Sequence, residues 1–324
     1  MQNLLKSRHI GRTMLFTIAA LVSTSPAAAT QETKQSASPD DEIIVSGQKA
    51  RTEIIRQLIV NQFNTSGGGN QNGQYARFAA PICPSVGGLP EKQAAMIEDR
   101  IRDIAEVADL LVAPAKCKAN LFVVAVDDGA KEIETLRKRR GTIFTSLSHR
   151  ERDKMVETGG PVYSWKATQA MSSDGRHSAR AGTIDIMSDS IDGPISVRGQ
   201  RSHVKSKIQQ SEFAGIAFSY LLIENQALTG VSLNQLADYA AVVSLIDIDV
   251  KFETTPPPNS ILSLFSETPT GQGKPGSIGE GDLLMLRGLY KVPANIKAGL
   301  QRSAMLHTID AALDSGKDRE GNAR

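Results

Sequence analysis

Side chains four residues apart share one face of a helix, and the stretch SLNQLADYAAVVSLI, Ser232 to Ile246, sets Gln235 and Tyr239 at that spacing. Two histidines so placed grip zinc, and a glutamate next to the first acts as general base. Here the ligand positions carry an amide and a phenol, and the base position carries Leu236. An amide does not replace an imidazole donor, and leucine takes no proton from water, so no metal and no cofactor is expected on this helix. The simplest reading is that Gln235 caps the helix, Asn234 and Asp238 bond locally, and Tyr239 packs its ring with its hydroxyl bonded.

A second place where chemistry could reside is Asp127-Asp128-Gly129, because carboxylates at the end of a strand often line clefts. The alternative is a strand-to-helix turn with an Asp at the helix N-terminus. With Asp127, Asp128, Gln235, Asp238 and Tyr239 the candidate polar site is complete. Four histidines lie beyond the leader, His149, His177, His203 and His307, and no two have helical spacing. His307 is read on the apolar side of the last helix. The match Gly271-x-Gly273-x-x-Gly276 contains Pro275 and lacks a preceding parallel strand, so it reads as a loop and not a phosphate cradle. The serine-nucleophile pattern G-x-S-x-G is absent. No catalytic residue is assigned.

The two cysteines, Cys83 and Cys117, are most simply one disulfide in an oxidising compartment. Closing such a loop stabilises a fold by roughly 3 to 4 kcal/mol. A nucleophilic cysteine is the rival reading, but no histidine in the surrounding segment could serve as its base.

The elements that must position these residues follow from periodicity. A helix is expected over Arg51 to Phe63, with Ile54, Ile55, Leu58 and Ile59 on one side. YARFAAPIC is a candidate strand. Pro90 then opens a helix bearing Ile97, Ile101, Ile104 and Ala108, and Asn120 to Asp128 has the length and apolar character of a strand. Helices follow at Lys131 to Arg139 and, behind the capping pair Ser148 and Glu151, at Arg150 to Glu157. VYSWKAT and Thr183 to Met187 read as strands, and GIAFSYLLIE as a strand or a buried helix. Ser232 and Gln235 form a second capping pair. Further helices are expected after Ser277 and from about Ala294 to Leu313. The fold class is α+β: a mixed sheet with helices packed on it and a helical C-terminal part.

The ends bound location. Lys6, Arg8 and Arg12 precede the apolar run Met14 to Val22, and Ala27-Ala28-Ala29 supplies small residues for cleavage, so residues 1–29 read as an export signal. The run is shorter than the roughly 20 residues a bilayer span needs, and no second such run exists, so no transmembrane segment is expected in the mature chain. Removing the three basic residues of the leader leaves 34 Lys/Arg against 35 Asp/Glu, a net charge of −1. The densest basic cluster, Arg137-Lys138-Arg139-Arg140, is short and lacks aromatics, so nucleic acid is not an expected partner. Residues 30–74 are expected as a flexible arm, 75–313 as one domain, and 314–324 as a disordered tail.

Within the arm, Asp41, Glu42, Ile43, Ile44, Val45, Ser46 and Gly47 resemble the short box near the start of outer-membrane transporters that an energy-coupling protein recognises. Such a segment could pair with an envelope partner's sheet edge, or it could be an ordinary first strand. The chain also resembles a group of uncharacterised secreted proteins of Gram-negative bacteria. That likeness covers roughly Arg77 to Leu313. It rests on Pro81-Ile82-Cys83-Pro84 with Gly88-Leu89-Pro90, on Arg100-Ile101-Arg102, and on Cys117 followed by Asn120-Leu121. It rests also on Gly160-Pro161 with Trp165 and on Gln235-Leu236-Ala237-Asp238-Tyr239. More distantly, SILSLF followed by DLLMLRGLY is similar to a zincin-like secreted family, whose metal ligands are lacking here. The expectation is a periplasmic or secreted binding or envelope-accessory protein without catalysis. The alternative is a degenerate zincin-like or carboxylate-dependent hydrolase whose acids, Asp127 or Asp238, meet only in three dimensions.

Overall fold

A computed structural model describes residues 52–65, 73–144, 146–172, 209–248, 250, 256–257, 259–266 and 273–321. The candidate partner segment Asp41–Gly47, the export signal and the strand expected at Thr183 to Met187 lie outside these residues.

The fold is α+β; among the described residues it has a five-stranded sheet with a helical layer on each face. Its strands are β1 (Arg77–Phe78), β2 (Pro84–Gly87), β3 (Leu121–Val126), β4 (Val162–Ser172) and β5 (Glu212–Glu224). β5 is central: β1 and β3 run parallel to it along one edge, β4 runs antiparallel along the other, and β2 extends the sheet beyond β3. GIAFSYLLIE is therefore a strand. Apolar side chains along both its faces meet a layer, as a strand buried on two sides requires. YARFAAPIC forms only the two-residue β1 and an isolated bridge from Ile82 to Val112.

Helix α1 (residues 52–62), α2 (Glu91–Val107), α5 (Leu233–Leu245), α6 (Glu280–Lys291) and α7 (Ala298–Gly321) share the larger core with the inner face of the sheet. The smaller core lies on the other face, where Ile133 of α3 (Gly129–Arg139) and Met155 of α4 (His149–Glu157) cover Tyr163, Trp165 and Leu222. Strand alternation allocates the residues: Leu121 and Val123 face the large core, and Phe122 and Val124 face the other way. A bulge between Ala167 and Thr168 shifts the register, so that Ala214 and Ile216, and then Leu221 and Ile223, all stay on the inner side.

Three expectations are revised. α1, placed by sequence in a separate arm, buries Ile55, Leu58 and Ile59 in the main core, and its Thr52 hydroxyl donates to Asp310. α7 begins at Ala298 and continues past Leu313 to Gly321, through a tail whose Lys, Arg and Glu are good helix formers. His307 is exposed: the buried residues of α7 are Gln301, Met305, Leu306 and Ile309, and His307 lies about 200° round from Met305. No helix of the described residues is long and apolar enough to cross a membrane.

Cys83, just before β2, and Cys117, in the loop before β3, form a disulfide with Cα atoms 6.0 Å apart. Gly88 ends β2 with φ of 76°, and a Cβ there would overlap the Ala125 carbonyl oxygen. Gly88→Ala is expected to lower stability by about 2 kcal/mol, from strain at positive φ and displacement of β3. Urea denaturation checks this, and an unchanged midpoint would contradict the close approach.

Candidate functional site

The α5 candidates are placed by a helix that caps itself. Ser232 accepts from Gln235 N at 3.2 Å, and Gln235 returns its side-chain oxygen to Ser232 N at 2.9 Å. The amide nitrogen of Gln235 then donates to the Pro275 carbonyl at 2.7 Å. Asp238 is fully buried, and it does not bond locally as the sequence suggests. One carboxylate oxygen accepts from Arg100 Nε of α2 at 2.7 Å, and the other accepts from the Ile278 N–H at 2.7 Å. The hydrogen bond to Asp238 holds the Arg100 guanidinium even more firmly protonated. Tyr239 sets its ring edge-on to Phe265, with centroids 4.8 Å apart. Gln235 and Tyr239 thus face different partners: one grips the loop before α6, the other packs on the short 3-10 helix Ile261–Phe265.

Asp282 completes this latch. It accepts from the Ser260 hydroxyl at 2.6 Å and from the N–H groups of Ile261 and Gly279 at 2.8 and 3.0 Å. Burial raises its pKa, against those three donors.

At the strand ends, Asp128 caps α3 by accepting from Lys131 N at 2.9 Å, and Asp127 accepts from Asn225 at 2.7 Å. The first N–H of α3, that of Gly129, is met by Glu224 at 3.1 Å. A helix N-terminus at the end of a parallel strand is a natural anion site, and here the protein fills it with its own carboxylate. Asp127 and Asp238 are engaged separately, and no hydrogen bond joins them. Among the described residues no three of His, Cys, Asp or Glu converge as a metal set.

One concave site adjoins the candidates. A cleft of about 190 Å³ is lined by Gly159, Gly160, Pro161, Val162, Tyr239, Val250, Phe265 and Ser266. It opens between the start of β4 and the middle of α5. Burial raises the Tyr239 phenol well above its ordinary pKa, so it remains neutral there.

Beyond Val162 the inner face of β4 carries a pair that the sequence reading missed. Lys166 Nζ donates to Ser164 Oγ at 2.8 Å. Lys166 is only 3% exposed, and burial lowers its pKa from 10.5 to about 8, against a favourable pull from Asp247. Asp247, just past α5, is itself held by Asn64 at the end of α1 through Nδ2 at 3.1 Å. Opposite Lys166 in β5 stands Ser219, fully buried, whose hydroxyl has no partner among the described residues. A buried amine with a neutral hydrogen-bond partner is costly, and such groups concentrate at functional sites. The sequence did carry a signal, since Ser164 and Lys166 stand two apart in a strand and so share a face. No protein-family model, curated protein or solved structure matches the chain.

Proposed function

We propose that this is an envelope-located binding protein that holds a small, largely apolar molecule in the cleft beside Tyr239. The observation that carries the reading is the cleft's lining. Pro161, Val162, Val250 and Phe265 supply apolar walls, while Tyr239 and Ser266 add hydroxyl-bearing residues. Pockets that bind small ligands combine these features, an apolar wall and a few polar groups that fix orientation. A cavity of about 150 Å³ holds benzene, so the space suits one ring or a short branched chain.

The α5 acids and amides support the same reading in a different way. Gln235 and Asp238 tie α5 to α2 and to the loop before α6, which fixes the wall from which Tyr239 projects. An extracytoplasmic location belongs to the proposal: the leader at residues 1–29 and the Cys83–Cys117 disulfide both suit an oxidising compartment.

Phenol is a suitable probe. Titrated into protein with labelled aromatic rings, it is expected to shift the Tyr239 and Phe265 resonances saturably. Val250→Phe, which fills the space, is expected to weaken that binding at least tenfold. Rings left unshifted by phenol, or binding undiminished in Val250→Phe, would contradict the proposal.

A further inference from the structure

We propose that Ser164 is an acyl-accepting nucleophile, with Lys166 as its base, and that its substrates are small carboxylic esters or thioesters with a short apolar acyl group. This goes beyond reversible binding in the cleft, because it assigns a covalent step to residues that do not line it. The geometry has three parts. Lys166 Nζ and Ser164 Oγ are 2.8 Å apart, within the reach a base needs to take the hydroxyl proton. Ser164 is half-buried, whereas Lys166 beside it is shut away from water. Val162, two residues before Ser164 on the same strand face, lines the cleft, so an acyl chain lying there is about 7 Å along the strand from the hydroxyl.

Strand geometry supplies a further group. The Pro161 carbonyl accepts from Glu224 N in β5, so by the antiparallel alternation the N–H of Ser164 points away from β5, to the side of β4 on which no strand of the described residues pairs. An N–H so placed is a ready donor to an oxyanion developing on the attacked carbonyl. The charged group that pulls on Lys166 is Asp247 beyond α5, and the β5 residue facing it is the neutral Ser219. An amine with its pKa lowered to about 8 is neutral in an appreciable fraction of molecules at pH 7 to 8, which an ordinary lysine is not.

The step balances without a further reactant. The Ser164 oxygen forms a bond to the acyl carbon as neutral Lys166 takes the hydroxyl proton. The bond from that carbon to the leaving oxygen or sulfur then breaks, and Lys166 returns the proton to the departing alcohol or thiol. Acyl-Ser164 and neutral Lys166 remain, and water repeats the sequence to release the acid.

The test uses the full chain and a small alkyl fluorophosphonate, whose fluoride is displaced by an activated serine. Peptide mass spectrometry is expected to find one adduct, on Ser164, forming faster as pH rises through about 8. Ser164→Ala is expected to abolish it. Lys166→Met, which removes the base while keeping the volume, is expected to slow it at least 100-fold. Lys166→Arg, which keeps a charge but cannot accept a proton, is expected to match Lys166→Met. Absence of an adduct on Ser164, or a rate indifferent to Lys166→Met, overturns the assignment. Phenol binding in the cleft is read separately, so either proposal can fail alone.

Discussion

Lys166→Met is expected to make the protein more stable, by about 3 kcal/mol at pH 7. Burial lowers the Lys166 pKa from 10.5 to about 8, and each pKa unit is about 1.4 kcal/mol of difference between the folded and unfolded chain. The unfolded chain holds this proton more tightly than the folded one. Well below pH 8 both states are protonated and the whole penalty stands, and at pH 7 nearly all of it remains. Between pH 8 and 10.5 only the unfolded state stays protonated, so the wild-type protein gains stability as pH rises. Above 10.5 the penalty is gone. Methionine fills a similar volume and carries no proton, so its advantage should be constant well below pH 8 and fade by about pH 10.5. At about 2 to 4 °C per kcal/mol for a chain of this size, melting should rise by roughly 6 to 12 °C near neutrality. A variant equal to or less stable than wild type at pH 7 would mean that the amine is hydrated. The prediction also bears on function, because a residue that costs the fold stability is one that a purely structural role does not account for.

Asp238→Ala is expected to act in the opposite direction, lowering stability by about 3 kcal/mol. The carboxylate is fully buried and receives two donors from elements distant in sequence, Arg100 and the backbone of Ile278. Without it the Ile278 N–H has lost its acceptor. Arg100 is 40% exposed and can turn to water, which keeps the loss toward the lower end of what breaking a buried pair costs. Asp238→Asn should recover little, because its amide presents a donor to one of the two donors. Chemical denaturation measures the loss, and hydrogen exchange at Ile278 localises it. Stability within about 0.5 kcal/mol of wild type would show that the latch is dispensable.

Local rules worked where the determinants are local. The capping boxes at Ser148 and Ser232 form as their spacing implies, and the Ile97, Ile101 and Ile104 stripe of α2 is buried. The disulfide followed from an even cysteine pair. Asp238 was visible as a polar residue on an apolar helix, but its partner Arg100 lies 138 residues away, and no spacing rule reaches that far. GIAFSYLLIE stayed ambiguous because an apolar run of strand length fits two structures until its neighbours are known.

Ser164 and Lys166 were hidden for a related reason. Lysine on a strand ordinarily marks a solvated or protected edge, and among the described residues β4 pairs on one side only, with β5. What reverses that reading is the covering layer on the inner face, built from chain on either side of β4 in sequence, including α1 and α5. His307 misled through phase alone: it stands two residues from both Met305 and Ile309, which places it on the opposite side of α7 from those buried side chains.

The proposed chemistry on the inner face of β4 depends on an amine kept from water beside a serine. Titrating the Lys166 side chain by nuclear magnetic resonance in the folded protein measures that most directly. A midpoint near pH 8 is expected, and it should move when Asp247 is replaced by Asn. A midpoint near 10.5, insensitive to Asp247, would contradict it.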